Sequence, residues 1–526
     1  MTTVSSGSVI TLTASVMAGS AGVTPGQVQF CDATAPHCTD IHRLGITQLT
    51  TAGTATFRFV PGIGTHSYKA IFSGTTGDAA SSSSATALTV NGAYPSATSF
   101  EQTGSAGNYT LTATVSGYAG FSPTGTVSFL DTSNVNTVLA TANLGPGTTT
   151  AGLSFVQASS SATNITPQAV AVADFNGDGK LDLALPGNPN AAGSVLTVLL
   201  GEGDGTFTPA PPSPTPALNV GSIAAGDFNG DGKADLIVNL PDNNELMPLL
   251  GKGDGTFTVG RTISDPDGPF FVATADFNGD GNADLAVANP AGANVTILLG
   301  NGDGTFAAAS TSAAGASPAS IAVGDFNGDG HADVAVVNEL SDTVTVLLGK
   351  GNGAFTKVAV SPATGTDPIS ITTGDFNGDG KADLAVANSY VTTGDPGTVT
   401  ILLGNGDGTF TPNAVSPATG DKPYCVAVAD FNGDGKADLV TSNMGSNTAT
   451  VLLGNGDGTF TAGGSPPAGI DPLFVGVGDL NGDGIADLAV VNNSASLVTV
   501  LLSKLAQVSA AATSAVSRQL VREPTW

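Results

Sequence analysis

Residues 325–333 read Asp325-Phe-Asn-Gly-Asp-Gly-His-Ala-Asp333. The pattern Asp-Phe-Asn-Gly-Asp-Gly-x-x-Asp occurs six times, and a seventh copy carries Leu in place of Phe. The copies begin at Asp174, Asp227, Asp276, Asp325, Asp375, Asp430 and Asp479, spaced 53, 49, 49, 50, 55 and 49 residues apart. A period near 50 marks one supersecondary unit per repeat.

Each unit reads as four short strands. An apolar run such as Ile321-Ala-Val-Gly324 enters the Asp loop, and a second, Asp333-Val-Ala-Val-Val337, leaves it. A third is nearly constant, as in Val344-Thr-Val-Leu-Leu-Gly349, and a Gly-rich turn then leads to a Phe that opens the fourth, as in Gly302-Asp-Gly-Thr-Phe306. Four strands per repeat predict the blades of a β-propeller. A solenoid is the rival, but it needs atypical polar caps at its ends, and none is visible. The fourth-strand Phe precedes the next Asp loop by 19 or 20 residues throughout. The seventh unit ends at Val498-Thr-Val-Leu-Leu502 without its Phe turn, whereas Phe155 stands 19 residues before the first loop. The segment Leu153–Ala158 is therefore expected to supply the last blade's fourth strand and close the ring, which removes exposed sheet edges.

The first 150 residues carry a different repeat. Thr11-Leu-Thr-Ala-Ser-Val16 recurs as Thr110-Leu-Thr-Ala-Thr-Val115, and Gly26-Gln-Val-Gln-Phe30 as Gly125-Thr-Val-Ser-Phe129, both at an offset of 99. Alternating strands with Gly, Pro and Asn turns read as immunoglobulin-like sandwiches. The expected fold class is all-β: a seven-bladed β-propeller (residues 151–504) preceded by two sandwiches (1–92 and 93–150). The second sandwich lacks a counterpart of Gly64-Thr-His-Ser-Tyr-Lys-Ala-Ile-Phe72, so it is either short of strands or shares the Phe155 segment. Residues 505–526, Ala- and Ser-rich without a period, read as a partly helical tail.

Composition agrees. The 526 residues are 11% charged and 40% hydrophobic, with 71 Gly and 30 Pro, which disfavours a mainly helical protein. Asp and Glu number 43 against 15 Lys and Arg, a net charge of −28. Such a chain repels phosphate backbones and anionic membrane surfaces, so neither nucleic acid nor lipid is an expected partner. No apolar stretch is long enough to span a membrane, so no membrane insertion is expected. Residues 1–25 hold neither a basic residue nor an apolar block, so no signal peptide is visible, and the opening inside a strand pattern points to a start upstream. Cys31 and Cys38 are expected to staple a hairpin loop, two free thiols being the alternative, and Cys425 reads as a small buried apolar residue.

The Asp loop places oxygen side chains at positions 1, 3, 5 and 9 and a backbone carbonyl at position 7. With water this makes six or seven hard oxygen ligands, a set suited to Ca²⁺. The first loop offers Asp174, Asn176, Asp178, the Lys180 carbonyl and Asp182, and the second Asp227, Asn229, Asp231, Lys233 and Asp235. The third offers Asp276, Asn278, Asp280, Asn282 and Asp284, and the fourth Asp325, Asn327, Asp329, His331 and Asp333. The fifth and sixth offer Asp375, Asn377, Asp379, Lys381 and Asp383, then Asp430, Asn432, Asp434, Lys436 and Asp438. The seventh offers Asp479, Asn481, Asp483, Ile485 and Asp487. An EF-hand fails, because position 12 is Leu185, Val238, Val287, Val336, Val386, Thr441 or Val490 rather than Glu, and the flanks are strands. A plain Asx-rich turn does not need three carboxylates, which at ~4 Å repel by about 4 kcal/mol per pair at an effective dielectric near 20. The loops hold 21 of the 43 acidic residues, and up to seven Ca²⁺ would bring −28 to −14. The Gly-Asp-Gly-Thr-Phe turns, with Asp204, Asp254, Asp303, Asp407, Asp457 and Asn352 in the odd copy, read as turns and not as second ion sites.

On these residues the chain resembles the FG-GAP/VCBS repeat family, which includes the integrin α-chain propeller, over residues 152–503, and its N-terminal repeats resemble bacterial Ig-like domains. The resemblance implies Ca²⁺ in loops that join each blade's first and second strands, and an exported, extracellular or cell-surface protein. Integrin propellers often carry Gly-Ala-Pro, absent here, so integrin-type ligand recognition does not carry over. The leading expectation is a binding module, not an enzyme, recognising an unknown protein or glycan ligand through the face opposite the Asp loops. Residues 186–194 and 387–398, with Tyr390 and Asp395, form its longest insertions. A lectin using Tyr390 or Tyr424 is the second reading. A polysaccharide lyase is the third, and it lacks support: His37, His42 and His66 lie in the Ig-like region, His331 lies in a loop, and no catalytic triad or zinc spacing appears.

Overall fold

The computed structural model describes residues 2–516 except 35–39, 93–96, 106–107, 119–123, 132–136, 147, 150–152, 164, 190–195, 214, 216–218, 390–395 and 506. The fold is all-β, with two single-turn 3₁₀ segments among the described residues. Two compact units result, one comprising Met1–Asn91 with Phe155–Ser503, the other Gly92–Ser154 with Lys504–Trp526.

Within the first unit, the described residues from 154 onward form seven sheets, each built on a four-strand meander. One blade serves for all: Pro318–Gly324, Asp333–Asn338, Thr343–Gly349 and Phe355–Lys357 pair antiparallel in that order. Its second strand is buried at every position, because both faces are covered by neighbouring blades. The sequence meets that demand with an apolar run in place of an alternating pattern. The innermost strands touch in a cycle, and Ala171–Ala173 meets Pro472–Gly478 where the cycle closes.

Closure uses the two ends of the repeat region. Ser154–Ala162 pairs with Leu497–Lys504, giving a sheet whose other strands are Asp487–Asn492 and Pro472–Gly478. The Phe155 segment thus belongs to the last blade and not to the second sandwich.

Neighbouring blades are joined at the Asp loops. The loop Phe of one blade meets the fourth-strand Phe of the next edge to face: Phe175 with Phe257 at 5.7 Å, Phe228 with Phe306 at 5.7 Å, Phe277 with Phe355 at 5.6 Å, Phe326 with Phe410 at 5.5 Å, and Phe376 with Phe460 at 5.7 Å. Phe431 meets Phe155 at 6.4 Å across the closure. Leu480 replaces the loop Phe in the seventh blade and packs in one cluster with Phe207. A backbone bond accompanies the contact: Gly255 N donates to Phe175 O at 3.0 Å, and Gly205 N to Leu480 O at 3.1 Å.

The N-terminal sandwich pairs Thr2–Ser5, Thr86–Asn91, Gly64–Phe72, Gln27–Asp32 and Arg43–Gln48 in one sheet, and Ile10–Ser15 with Thr54–Phe59 in another. Val28, Phe30, Leu49 and Phe72 fill the space between. Cys31 is disulfide-bonded, Cys38 and His37 lie outside the described residues, and Cys425 is a free, buried cysteine.

Over residues 507–516 the second unit corrects the reading of residues 505–526 as a partly helical tail, while 517–526 lie outside the described residues. Gln507–Val516 is a strand that pairs antiparallel with Asn108–Tyr118 and with Thr148–Thr149. The second sandwich therefore takes one strand from the far end of the chain, beside the counterpart of Ile10–Ser15 and not in the place of Gly64–Phe72, which pairs with Gln27–Asp32. Its Ala, Ser and Thr side chains gave no apolar alternation, yet Ala510 and Ala512 are fully buried. Small residues suffice because the facing core is thin, built on Leu111, Ala113 and Phe129.

Deleting residues 505–526 is expected to lower the melting transition of the second unit while leaving that of the propeller unit in place. Differential scanning calorimetry of the two chains checks this.

Candidate functional site: the acidic loops

Each loop is a closed network of backbone amides on carboxylates. In the fourth, Asp325 Oδ1 accepts from Gly328 N (2.7 Å) and Asp329 N (3.2 Å), and its Oδ2 from Gly330 N (2.9 Å). Asn327 Oδ1 accepts from Asp329 N at 2.9 Å, and Asp329 Oδ1 from His331 N at 2.9 Å. Gly328 and Gly330 have φ of 75° and 84°, and the same two positions are left-handed glycines in all seven loops. That conformation turns successive N–H groups inward and is costly with a side chain.

The ninth residue does something further. Asp182, Asp235, Asp284, Asp333, Asp383, Asp438 and Asp487 are 0% exposed. Asp333 Oδ2 accepts from Phe326 N at 2.8 Å, and its Oδ1 from Gly349 N, at the end of the third strand, at 2.7 Å. The other six repeat this pair, with Ser503 N in the glycine's place for Asp487. One buried carboxylate thus pins the loop and the third strand together. The partner is Gly in six blades because a Cβ on Gly349 would lie 2.3 Å from Ala332 O.

Burial opposes the charge on these groups. It pushes Asp182 and Asp333 up to about 6, Asp235, Asp284, Asp383 and Asp438 to about 7, and Asp487 to about 8. The amide bonds work against burial, and the first and fifth loop carboxylates add repulsion. Asp174, Asp227, Asp276 and Asp430 are raised as well, chiefly by burial.

Little positive charge offsets this. Lys180, Lys233, Lys381 and Lys436 place an ammonium 3.2–4.0 Å from the fifth-position carboxylate, but both partners are substantially exposed and such pairs contribute little. The donor set fits a hard divalent cation in its chemistry: all oxygen, with three carboxylates per loop, of which the ninth-position one is desolvated. Among the described residues, however, no group of three or more His, Cys, Asp or Glu side chains is gathered tightly enough to hold a metal. The arrangement fits in composition and charge, while the coordination shell is not drawn together.

The sandwich in the same unit reaches three of these loops. Thr76 N donates to Gly279 O at 2.8 Å, Arg58 and Gln48 donate to Gly177 O and Gly281 O, and Gly62 lies against Gly484. In the seventh loop, burial pushes Asp479 up to about 6.

The Gly-Asp-Gly-Thr-Phe aspartates are part of tight turns. Asp303 Oδ1 accepts from Thr305 N (3.0 Å) and Thr305 Oγ1 (2.5 Å), which holds its carboxyl below the usual range. Of the proposed sugar-site tyrosines, Tyr424 is half-buried, edge-on to Phe474 at 5.9 Å, while Tyr390 and Asp395 lie outside the described residues.

A second set of residues escaped sequence reasoning. Asn289, Asn338, Asn388, Asn443 and Asn492 end the second strands, at the edge remote from the Asp loops. Their Nδ2 groups donate to third-strand threonines: Thr296 (2.8 Å), Thr345 (3.0 Å), Thr400 (2.9 Å), Thr450 (2.9 Å) and Thr499 (2.9 Å). Asn338 Oδ1 also accepts from Gly315 N in the crossover at 2.8 Å. The signal was a Thr seven residues after the Asn in four repeats.

Sheets joined through one acidic nonapeptide loop per blade define a repeat propeller. The chain belongs to the FG-GAP-like repeat family, whose model matches residues 188–238, 276–336, 325–386, 389–441 and 439–490; FG-GAP repeats also match 166–198 and 219–259. A bacterial Ig-like domain (group 3) matches residues 1–91. No curated protein sequence matches the chain. Similar solved structures include a periplasmic gluconolactonase from Pseudomonas aeruginosa (17% identity, 72% of this chain, 97% of that one, TM-score 0.44). A catalytically inactive virginiamycin B lyase from Staphylococcus aureus is another (14%, 66% and 99%, TM-score 0.44), as is the Aleuria aurantia lectin (10%, 58% and 98%, TM-score 0.37). At these values they carry no argument about what this chain binds or does.

Two outcomes follow. Asp333→Ala leaves two buried N–H groups unpaired, so a loss of about 2–6 kcal/mol is expected in urea melts with chelator present. Asp329→Ala, at the exposed fifth position, is expected to cost far less under the same conditions. In chelator the melting temperature is also expected to fall as pH rises. The buried aspartates titrate near 3.9 when unfolded and at about 6 to 8 when folded. The native state therefore holds extra protons, and stability that is complete below about pH 4 is lost through the folded values. Thermal melts from pH 4 to 8 in EDTA provide the check.

Proposed function

We propose that the chain is a calcium-binding, extracellular or cell-surface propeller protein that acts by binding rather than by catalysis. The observation that carries the calcium reading is the uncompensated burial of carboxylate in all seven loops. A cation is the counter-charge that the loops lack, and the residues to hold it are the Asp, Asn and carbonyl donors at positions 1, 3, 5, 7 and 9. The bound ion would neutralise charge and fix the loop. The chain's own part is the amide network, which already sets the curvature of the loop.

The ligand face is the one remote from the loops. The loops are nearly identical among blades and are engaged in joining them. The opposite edge carries the crossovers, and in sequence the segments 186–194 and 387–398 between second and third strands differ in length and composition from their counterparts. Among the described residues no helix is long and apolar enough to cross a membrane, which says nothing of a β-barrel.

Calcium calorimetry with melting in calcium and in EDTA tests this. Uptake of several ions is expected, with Kd between micromolar and ~1 mM. Each site adds ~2.7 kcal/mol when free calcium stands a hundredfold above its Kd. In calcium the fall of stability with pH should flatten, because the ion takes the ionised form. A melting temperature indifferent to EDTA overturns the calcium reading.

A further inference from the structure

The residue five positions before each loop's first Asp is Ala169, Ser222, Phe271, Ser320, Ser370, Cys425 and Phe474 in turn. The seven line one cavity of about 350 Å³, walled by the innermost strands. They lie near the strand ends remote from the Asp loops, since Ser320 is the third residue of Pro318–Gly324 and Asp325 follows that strand. Toward the loop side, the 3₁₀ turn Asp40–His42 of the N-terminal sandwich touches two of the same strands, and Ile41 packs on the cluster that contains Val426 and Val428 of the cavity wall.

The lining is chemically selective. It holds no Asp, Glu, Lys, Arg or His. An ionised ligand would be buried there without a counter-charge, which is prohibitive. Aromatic rings come from the third and seventh blades, on opposite sides of the ring, while hydroxyls come from the second, fourth and fifth and a thiol from the sixth. Ser370 Oγ is engaged by Val426 N at 3.1 Å. Ser222 Oγ and Ser320 Oγ are buried and have no hydrogen-bond partner among the described residues. Buried hydroxyls are normally satisfied, so two such orphans on one cavity wall call for an explanation. Both oxygens are sealed off as they stand, and a χ1 rotation of each serine is what a ligand oxygen would require to meet it.

We propose that this axial chamber binds one neutral, hydroxyl-bearing ring of monosaccharide size, with its C–H faces against Phe271 and Phe474 and its hydroxyls on Ser222 and Ser320. The volume lies at the small end of ligand pockets, roughly 300–1,000 Å³. The inference deepens the reading of the face remote from the Asp loops as the ligand face and rests on it, but it does not depend on calcium.

The test is saturation-transfer NMR on the full chain with methyl glucoside, galactoside, mannoside and fucoside, against glucuronate and glucose 6-phosphate. At least one neutral glycoside is expected to receive saturation, strongest on its ring C–H protons, and the charged sugars none. The double change Ser222→Ala with Ser320→Ala should weaken binding at least tenfold at an unchanged melting temperature. Saturating glycoside should also slow alkylation of Cys425 by N-ethylmaleimide at least fivefold, a readout independent of the serines. Ser320→Phe, if folded by its melt, should abolish binding by filling the chamber. Absence of transfer to every neutral glycoside, or binding unchanged in the double variant, overturns the proposal. A chain that takes up calcium but no glycoside loses only the chamber. One that binds glycoside but melts identically in EDTA loses only the calcium reading.

Discussion

A carboxylate sealed from solvent, accepting one amide from its own loop and one from the end of the third strand, recurs in every blade. In the fourth blade it is Asp333, between Phe326 N and Gly349 N. The interaction joins two parts of the blade that the meander alone leaves separate. It is also costly, because desolvation raises the carboxyl well above its ordinary range. Two amide bonds recover part of that cost. A neutral side chain would avoid it, but Asn presents a donor to one of the two N–H groups and cannot accept from both in the same way. The fold thus retains a buried carboxylate whose charge a bound proton removes.

The same loop transmits order to the next blade. Phe326 donates its N–H to Asp333, accepts a bond at its O from Gly408 N at 2.9 Å, and lays its ring against Phe410. Aspartate, loop aromatic and neighbouring turn therefore form one chain of contacts around the ring. Where the seventh loop has Leu480 in place of Phe, the turn's Gly205 N still bonds to its O. The backbone contact is kept and the aromatic one is replaced by aliphatic packing. Disturbing a loop in this design loosens an interface as well as a turn.

What was legible in the sequence follows from range. The Asp loops could be read because all their determinants lie within nine residues, and the left-handed glycines at positions 4 and 6 have a local cause. The closing strand could be read because Phe155 keeps the spacing of the other fourth-strand aromatics. Long-range partners could not. Nothing near Phe175 names Phe257. The strand Gln507–Val516 was missed because Ala510 and Ala512 bury too little surface to stand out from a flexible segment. The end-of-strand asparagines were missed because Asn before a turn is common, and only its bond to a threonine on the next strand shows that it is structural. The loop donors were identified as a set, but their present geometry is that of amide-bound carboxylates, which no residue pattern distinguishes from a metal-ready shell.

The two ends of the propeller are under different constraints. At the loop end, seven copies hold Asp at the same three positions, since the first and fifth build the turn and the ninth pins it to the third strand. At the other end, one equivalent inner position is Ala, three times Ser, twice Phe and once Cys. Backbone pairing fixes where that position points but asks nothing of its side chain beyond fit. A ring of identical scaffolds therefore presents a set of non-identical groups on its axis, and the asymmetry that a small ligand needs is supplied without disturbing the interactions that hold the blades together. That separation lets an array so repetitive in sequence carry a non-repeating inner surface. The repetition is confined to positions that serve the turn and the interface, and the variation falls on positions that face the central space.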